Sequence, residues 1–497
     1  MAPPTRPRAQ GMLPVEDTDV VPVPTISPQL LSRAPAPPPR KGVPERLNIP
    51  TVPPGPDVPD TAPSPPTVPS TPGAPTTANA TRGMEATPTS NLILVRNTTL
   101  GPEADNHAAS DVGEPSVATN GNIVFYTGNW YAALSTDGGA TFRYVDPFHA
   151  FPDPPGMAFC CDQVVQYAPK IDTFFWLLQY SENQAGANLQ RIAYATSTDI
   201  LQNRWKAFDL TPQNLGLGNA FVDFPDLAIG SNMLYATTNV FQNNQWTATV
   251  LVRMPLVGFT TGKITAKRTV SRQNFNFRVA QNAGTRAYWA SHQNTSTLRV
   301  FQWDERASQP RFNDVKVATW VEGNNTSQTP DGFNWLGRSD SRILGAAQAG
   351  AELWFGWNSG PGGANNRPQC FAQIARINAT TQALIENVNL WNPDYAIAYP
   401  GLGSNTNNEV AVSYAFGGGQ VYPSHAVGIL TNSPQTKVTA NGSHGPAESN
   451  WGDYLTVRRH NPNGKLFAAT GYTLEEGTGR QDGTPRFVLF GRSGDIA

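Results

Sequence analysis

Short strand-forming runs alternate with tight turns along most of this chain. In the clearest stretch, Gly113 to Phe142, a small-residue run from Ser116 meets a turn at Asn120-Gly121-Asn122. Ile123 to Thr127 and a run from Trp130 follow, and the stretch closes on Ser135-Thr136-Asp137-Gly138-Gly139-Ala140-Thr141-Phe142. Apolar runs this short, bounded by Gly and Asn, read as strands of a turn-rich β protein. The same grammar recurs in clusters opening at Glu114, Asp162, Asp223, Phe277, Arg342, Tyr399 and Trp451. Each has a small-residue strand, a turn, an aromatic-rich strand and one or two outer strands. A repeat of fifty to sixty residues suits one propeller blade with generous loops. Small residues belong on innermost strands, which crowd the axis, and aromatics fill the wedges between blades.

The expected fold is therefore all-β, a seven-bladed propeller over residues 89–497; six is the rival count if two clusters share a blade. The last cluster is one strand short, while Leu92 to Asn97 is a strand with no neighbour in sequence. That strand is expected to complete the final blade and so remove the open edges of the ring.

Residues 1–88 carry 24 of the chain's 45 prolines, almost no aromatics and no periodicity. Such a segment buries too little apolar surface to offset its ordering entropy and reads as a disordered, partly polyproline-II tail, a spacer or a docking strip for a protein partner. The start, Met1 to Pro7, lacks the apolar segment of a secretory signal, which leaves the compartment open. A net charge of -2 argues against nucleic acid or an anionic membrane as partner, and no apolar run is long enough to span a bilayer. Three cysteines make no disulfide framework. Cys160 and Cys161 read as buried thiols, with a bond between the two neighbours as the alternative.

The run Ser135 to Phe142 matches Ser-x-Asp-x-Gly-x-Thr-aromatic, and in this it resembles the Asp box of sialidase-like propellers. The likeness extends over residues 91–497, with a degenerate echo at Ser197-Thr198-Asp199 and Trp205. It implies a hairpin device in which Asp137 caps backbone groups away from the catalytic face. It also implies an Arg-Ile-Pro element and an arginine triad, and blade one carries neither; the resemblance is to the scaffold, which does not transfer chemistry.

Propellers bind ligands where first strands meet at the channel mouth. Aligned there, the clusters give one column: Ser116, Asp162, Asp226, Arg278, Arg342, Gly401 and Asp453. Asp162, Asp226 and Asp453, with Glu114, are the candidate acids and bases, because converging carboxyls raise one another's pKa. Ca2+ held by the same carboxylates is the alternative use. Arg278 and Arg342 suit a substrate carboxylate, and the aromatics Tyr399 and Trp451, with Trp130 and Trp335, suit a sugar ring. Six scattered histidines show no zinc spacing. Two functions compete: a glycan-cleaving enzyme, sialidase-like in scaffold and acting on an acidic glycan, and a non-catalytic propeller that binds a glycan or a protein.

Overall fold

The computed structural model describes residues 11–26, 47–60 and 91–496, apart from 106, 432–433, 448–449, 476–478 and 480. Seven antiparallel sheets of four core strands are arranged in a ring. Their innermost strands are, in order, Ser116–Asn120, Phe159–Ala168, Phe221–Ile229, Arg278–Val279, Ile343–Ala349, Ala396–Ser404 and Val457–Arg459. The fold is a seven-bladed propeller.

Each seam between neighbouring blades holds its own apolar cluster, which is what closes the ring. Phe125 of blade one meets Trp176 of blade two edge to face at 5.2 Å, and Trp205 packs on both. Clusters of the same kind fill the six other seams, including the one between blades seven and one, where Phe142 meets Phe487. The inner strands are small-residue strands for a steric reason. A Cβ on Gly401 would lie 2.3 Å from the Leu455 carbonyl oxygen, and one on Gly345 2.4 Å from that of Pro400.

The strand Leu92–Thr99 pairs antiparallel with Thr484–Arg492 and forms the outer edge of blade seven, the closure expected from the sequence. The segment read as a plain tail differs from that expectation in part. Gly11–Met12, Glu16–Thr18 and Val21–Ile26 add fifth strands to blades four, three and two. Residues 48–60 then cross blades three to five, with the Thr295 amide donating to the Pro53 carbonyl (2.9 Å) and the Thr319 amide to that of Val58 (3.0 Å). A proline-rich chain has few N–H groups to offer, so it lies on sheet edges and loops. The rest of that segment lies outside the described residues.

The turn Ser135–Phe142 is capped as its sequence implies. Asp137 Oδ1 accepts from the amides of Ala140 (3.0 Å) and Thr141 (2.9 Å), and Ser135 Oγ from that of Gly139 (2.9 Å). These bonds, that of the Thr141 hydroxyl foremost, hold the Asp137 carboxyl well below the usual range. The echo at Ser197 is a different device: a short helix, Ser197–Leu201, capped by Thr196. Cys160 and Cys161 are joined as a disulfide, which overturns the reading of free thiols there; Cys370 is the buried free one. Adjacent cysteines at a strand bulge can bond within the chain without any fold-wide cross-link.

Candidate active site

One feature of the inner strands builds the site. Near its N-terminal end, an inner strand or its lead-in carries a non-glycine residue in the left-handed region: Glu114 (φ 45°), Asp162 (22°), Phe224 (55°), Asn276 (56°) and Tyr399 (60°). The ladder slips at three of these points, between Gln179 and its neighbours opposite Cys161, between Asp223 and Asp226, and between Ala398 and Gly401. Such bulges re-aim side chains, and proline is tolerated in them, which accounts for Pro225 and Pro400. The strain is held by an asparagine of the preceding blade that accepts the residue's own amide: Asn129 for Asp162 (2.8 Å), Asn239 for Asn276 (3.1 Å) and Asn358 for Tyr399 (2.7 Å).

This geometry re-sorts the column read from the sequence. Asp162 stands level with Glu114, Phe224, Asn276 and Tyr399. Ser116, Asp226, Arg278 and Gly401 each lie two residues further down their strands. Asp453 falls in the upper layer too, because Leu455, two residues on, is the backbone neighbour of Gly401. The predicted residues thus divide between two levels of the channel.

In the upper level the carboxyls of Glu114 and Asp162 are buried together, close enough that the charge of one bears on the ionisation of the other. Burial, then the charges of Asp162 and Asp453, holds Glu114 well above the ordinary carboxyl range. Burial, then Asp223, pushes Asp162 up to about 7. Asp223, also raised by burial, accepts from Gln179 Nε2 at 2.6 Å. Across the mouth, Arg342 binds Asp340 through Nε (2.8 Å) and Asp453 through Nη2 (3.0 Å), and its guanidinium lies 3.8 Å from the centre of the Phe224 ring. Arg338 stands 3.8 Å from Asp453. Five carboxyl groups therefore face two guanidiniums. Asp223, Arg338 and Asp340 escaped the sequence reading. The run Arg338-Ser339-Asp340-Ser341-Arg342 was a usable signal, since only 14% of this chain is charged.

In the lower level Asp226 pairs with Arg278 (3.3 Å) and faces Arg458 (3.9 Å), not the mouth carboxyls. Tyr454, fully buried, lies within electrostatic reach of both levels and meets Phe224 edge to face at 5.7 Å.

Three of the four proposed sugar-stacking residues, Trp451, Tyr399 and Trp335, are taken up by packing. Trp451 stacks on Tyr472 at 4.6 Å and meets Trp335 edge to face, and the Tyr399 hydroxyl donates to the Trp451 carbonyl at 3.3 Å. Trp451 and Tyr399 are each 1% exposed and Trp335 is fully buried, so none of the three rings offers a face to a ligand. A recess of about 170 Å3 beside Arg342 carries a half-exposed aromatic pair instead, Trp246 and Phe275, 5.7 Å apart. Residues 49–53 lie along its edge. Among the described residues, no group of three or more His, Cys, Asp or Glu is arranged to hold a metal ion. No described helix is long and apolar enough to cross a membrane.

Fold and site together define a seven-bladed propeller with a buried cluster of carboxyls at one channel mouth. No protein-family profile and no curated protein sequence matches the chain. Solved structures similar to it include an α-L-arabinofuranosidase of Fusarium graminearum in complex with an iminosugar inhibitor (9% identity, TM-score 0.39, 80% of this chain and 98% of that one). A Trypanosoma rangeli sialidase in complex with sialic acid is another (9%, 0.36, 67% and 54%), as is a protein of unknown function from Dyadobacter fermentans (7%, 0.41, 81% and 99%). Glycoside hydrolase propellers, a sialidase among them, are thus among the scaffolds it resembles, and at these values the likeness carries no argument about chemistry.

Proposed function

We propose that the upper mouth is the active site of a glycoside hydrolase acting on an uncharged glycan. The observation that carries this reading is the convergence of Glu114, Asp162 and Asp223 at one mouth, where burial raises all three carboxyls above their ordinary range and so favours the protonated acid. A proton donor of this kind protonates the glycosidic oxygen as the bond to the anomeric carbon breaks. A second carboxylate must then deliver water, or attack and later be displaced by water. Asp453, between Arg338 and Arg342, is assigned that part, and Asp223 stands beside the acid. With Glu114 and Asp162 protonated, Asp223, Asp340 and Asp453 still outnumber two guanidiniums that are already paired with Asp340 and Asp453. This disfavours a substrate carboxylate and moves the reading from the acidic glycan expected from the sequence to a neutral one. The same excess of negative charge favours an oxocarbenium-like transition state. The Trp246–Phe275 recess is of a size and character to seat an adjoining sugar ring.

The test is hydrolysis of a panel of neutral and acidic aryl glycosides and oligosaccharides. Expected is turnover of a neutral member, lowered about 10²- to 10⁴-fold in kcat/KM by Glu114→Gln or Asp162→Asn. Undiminished turnover in both variants refutes the assignment. Saturable glycan binding without turnover favours the non-catalytic reading instead.

A further inference from the structure

The inner strands run from the carboxyl mouth to a second opening at their C-terminal ends, and its chemistry is the reverse of the first. A cavity of about 260 Å3 lies there, lined by residues of blades one to four and seven. Of its fifteen lining residues three are cations, Lys170, Arg458 and Arg459, and none is Asp or Glu.

Arg458 is the unusual group. It is 6% exposed, and its Nε and Nη2 have no hydrogen-bond partner among the described residues. Nη1 reaches only the Val457 carbonyl, at 3.5 Å. Asp226 is 3.9 Å from Nη2, beyond hydrogen-bond reach, and its other oxygen is 3.3 Å from Arg278. One carboxylate thus serves two buried guanidiniums. Buried charge is normally paired and hydrogen-bonded, and here the balance is one negative group short. The two unmade donors, Nε–H and Nη2–H, form the edge of a guanidinium that takes a carboxylate or phosphate side-on through two parallel bonds. The amides around them are already committed: Gln166 Nε2 donates to the Leu227 carbonyl (2.6 Å) and to Gln281 Oε1 (2.7 Å), and Gln281 Nε2 to the same carbonyl (3.0 Å).

We propose that this lower opening is an anion site for a small molecule bearing a carboxylate or phosphate group. The oxyanion sits in the cavity among Arg458, Arg459 and Lys170, and takes the Nε/Nη2 edge of Arg458 as that side chain turns from Asp226 towards it. The site is independent of the hydrolase reading, since the two mouths share no residue.

The experiment is calorimetric titration of the full chain with inorganic phosphate and, separately, malonate, at constant ionic strength. Expected is saturable one-to-one binding of at least one of them, with the better ligand telling phosphate from carboxylate recognition. Arg458→Gln should weaken it by about tenfold or more, a loss on the scale of one charge-assisted pair. Asp226→Asn, which removes the competing carboxylate, should tighten it, and Asp453→Asn at the other mouth should leave it unchanged. Lys170→Ser alters an exposed rim residue, so it reports even if Arg458→Gln does not fold; it should weaken binding about two- to fivefold. Absence of saturable binding of both anions by the wild type overturns the proposal, and so does wild-type affinity in the Lys170→Ser and Arg458→Gln proteins.

Discussion

Replacing Asp162 by Asn should make the protein more stable at neutral pH while lowering the proposed hydrolysis. The carboxyl is buried beside Glu114 and Asp223, and its pKa rises from 3.8 to about 7 on folding. An acid whose folded pKa lies above its unfolded one binds more protons when folded, so its contribution declines as pH rises from about 4 to about 7. Three pH units at about 1.4 kcal/mol each amount to a penalty on the order of 4 kcal/mol, fully present above pH 7 and absent below pH 4. The asparagine side chain has the same shape and never ionises. Guanidinium denaturation of both proteins at pH 4, 5.5 and 7.5 reads the difference. The curves should coincide at pH 4 and separate steadily, with the variant the more stable by several kcal/mol at pH 7.5. Equal stability at all three values would refute the burial argument and remove the protonated acid on which the catalytic reading rests.

Other outcomes follow from the same geometry. Catalytic turnover should fall as pH rises past about 7, the range in which Asp162 ionises, and a rate still climbing above pH 8 contradicts that. Arg342→Lys keeps the charge but loses the fork shared by Asp340 and Asp453; kcat/KM should drop tenfold or more with little change in melting temperature. Asn358→Ala leaves the Tyr399 amide and the Asp340 carbonyl without their partner and should cost about 1–3 kcal/mol in thermal unfolding. Alkylation of the denatured, unreduced chain should label Cys370 alone, and all three cysteines after reduction.

The ring was readable because its causes are local. Crowding at the axis demands small residues, the seams demand aromatics, and both are written into each repeat. Leu92 to Asn97 betrayed itself as a strand with no neighbour. The site was readable only in part. Pro115, Pro225 and Pro400 mark a common height in three blades, but Cys160-Cys161-Asp162 has no proline, and the slip opposite Gln179 cannot be seen in a string of letters. Asp162 was therefore set level with Asp226, two residues too deep. Asp340 and Arg338 lie in the loop ahead of Ile343, where no strand pattern exists to align them. Trp451 and Trp246 look alike as sequence, and only their neighbours decide that the first is packed and the second open.

The pairing of Leu92 with Arg492 also fixes an order of events during synthesis. The strand that fastens the ring leaves the ribosome before any blade, and its partner follows only four hundred positions later. Until then the strand Leu92–Thr99 has nothing to pair with, and Phe142 of blade one lacks the Phe487 ring. The loop-closure entropy of that span is met only at the end. A nascent chain stopped a few residues short should stay protease-sensitive along the first and last blades together.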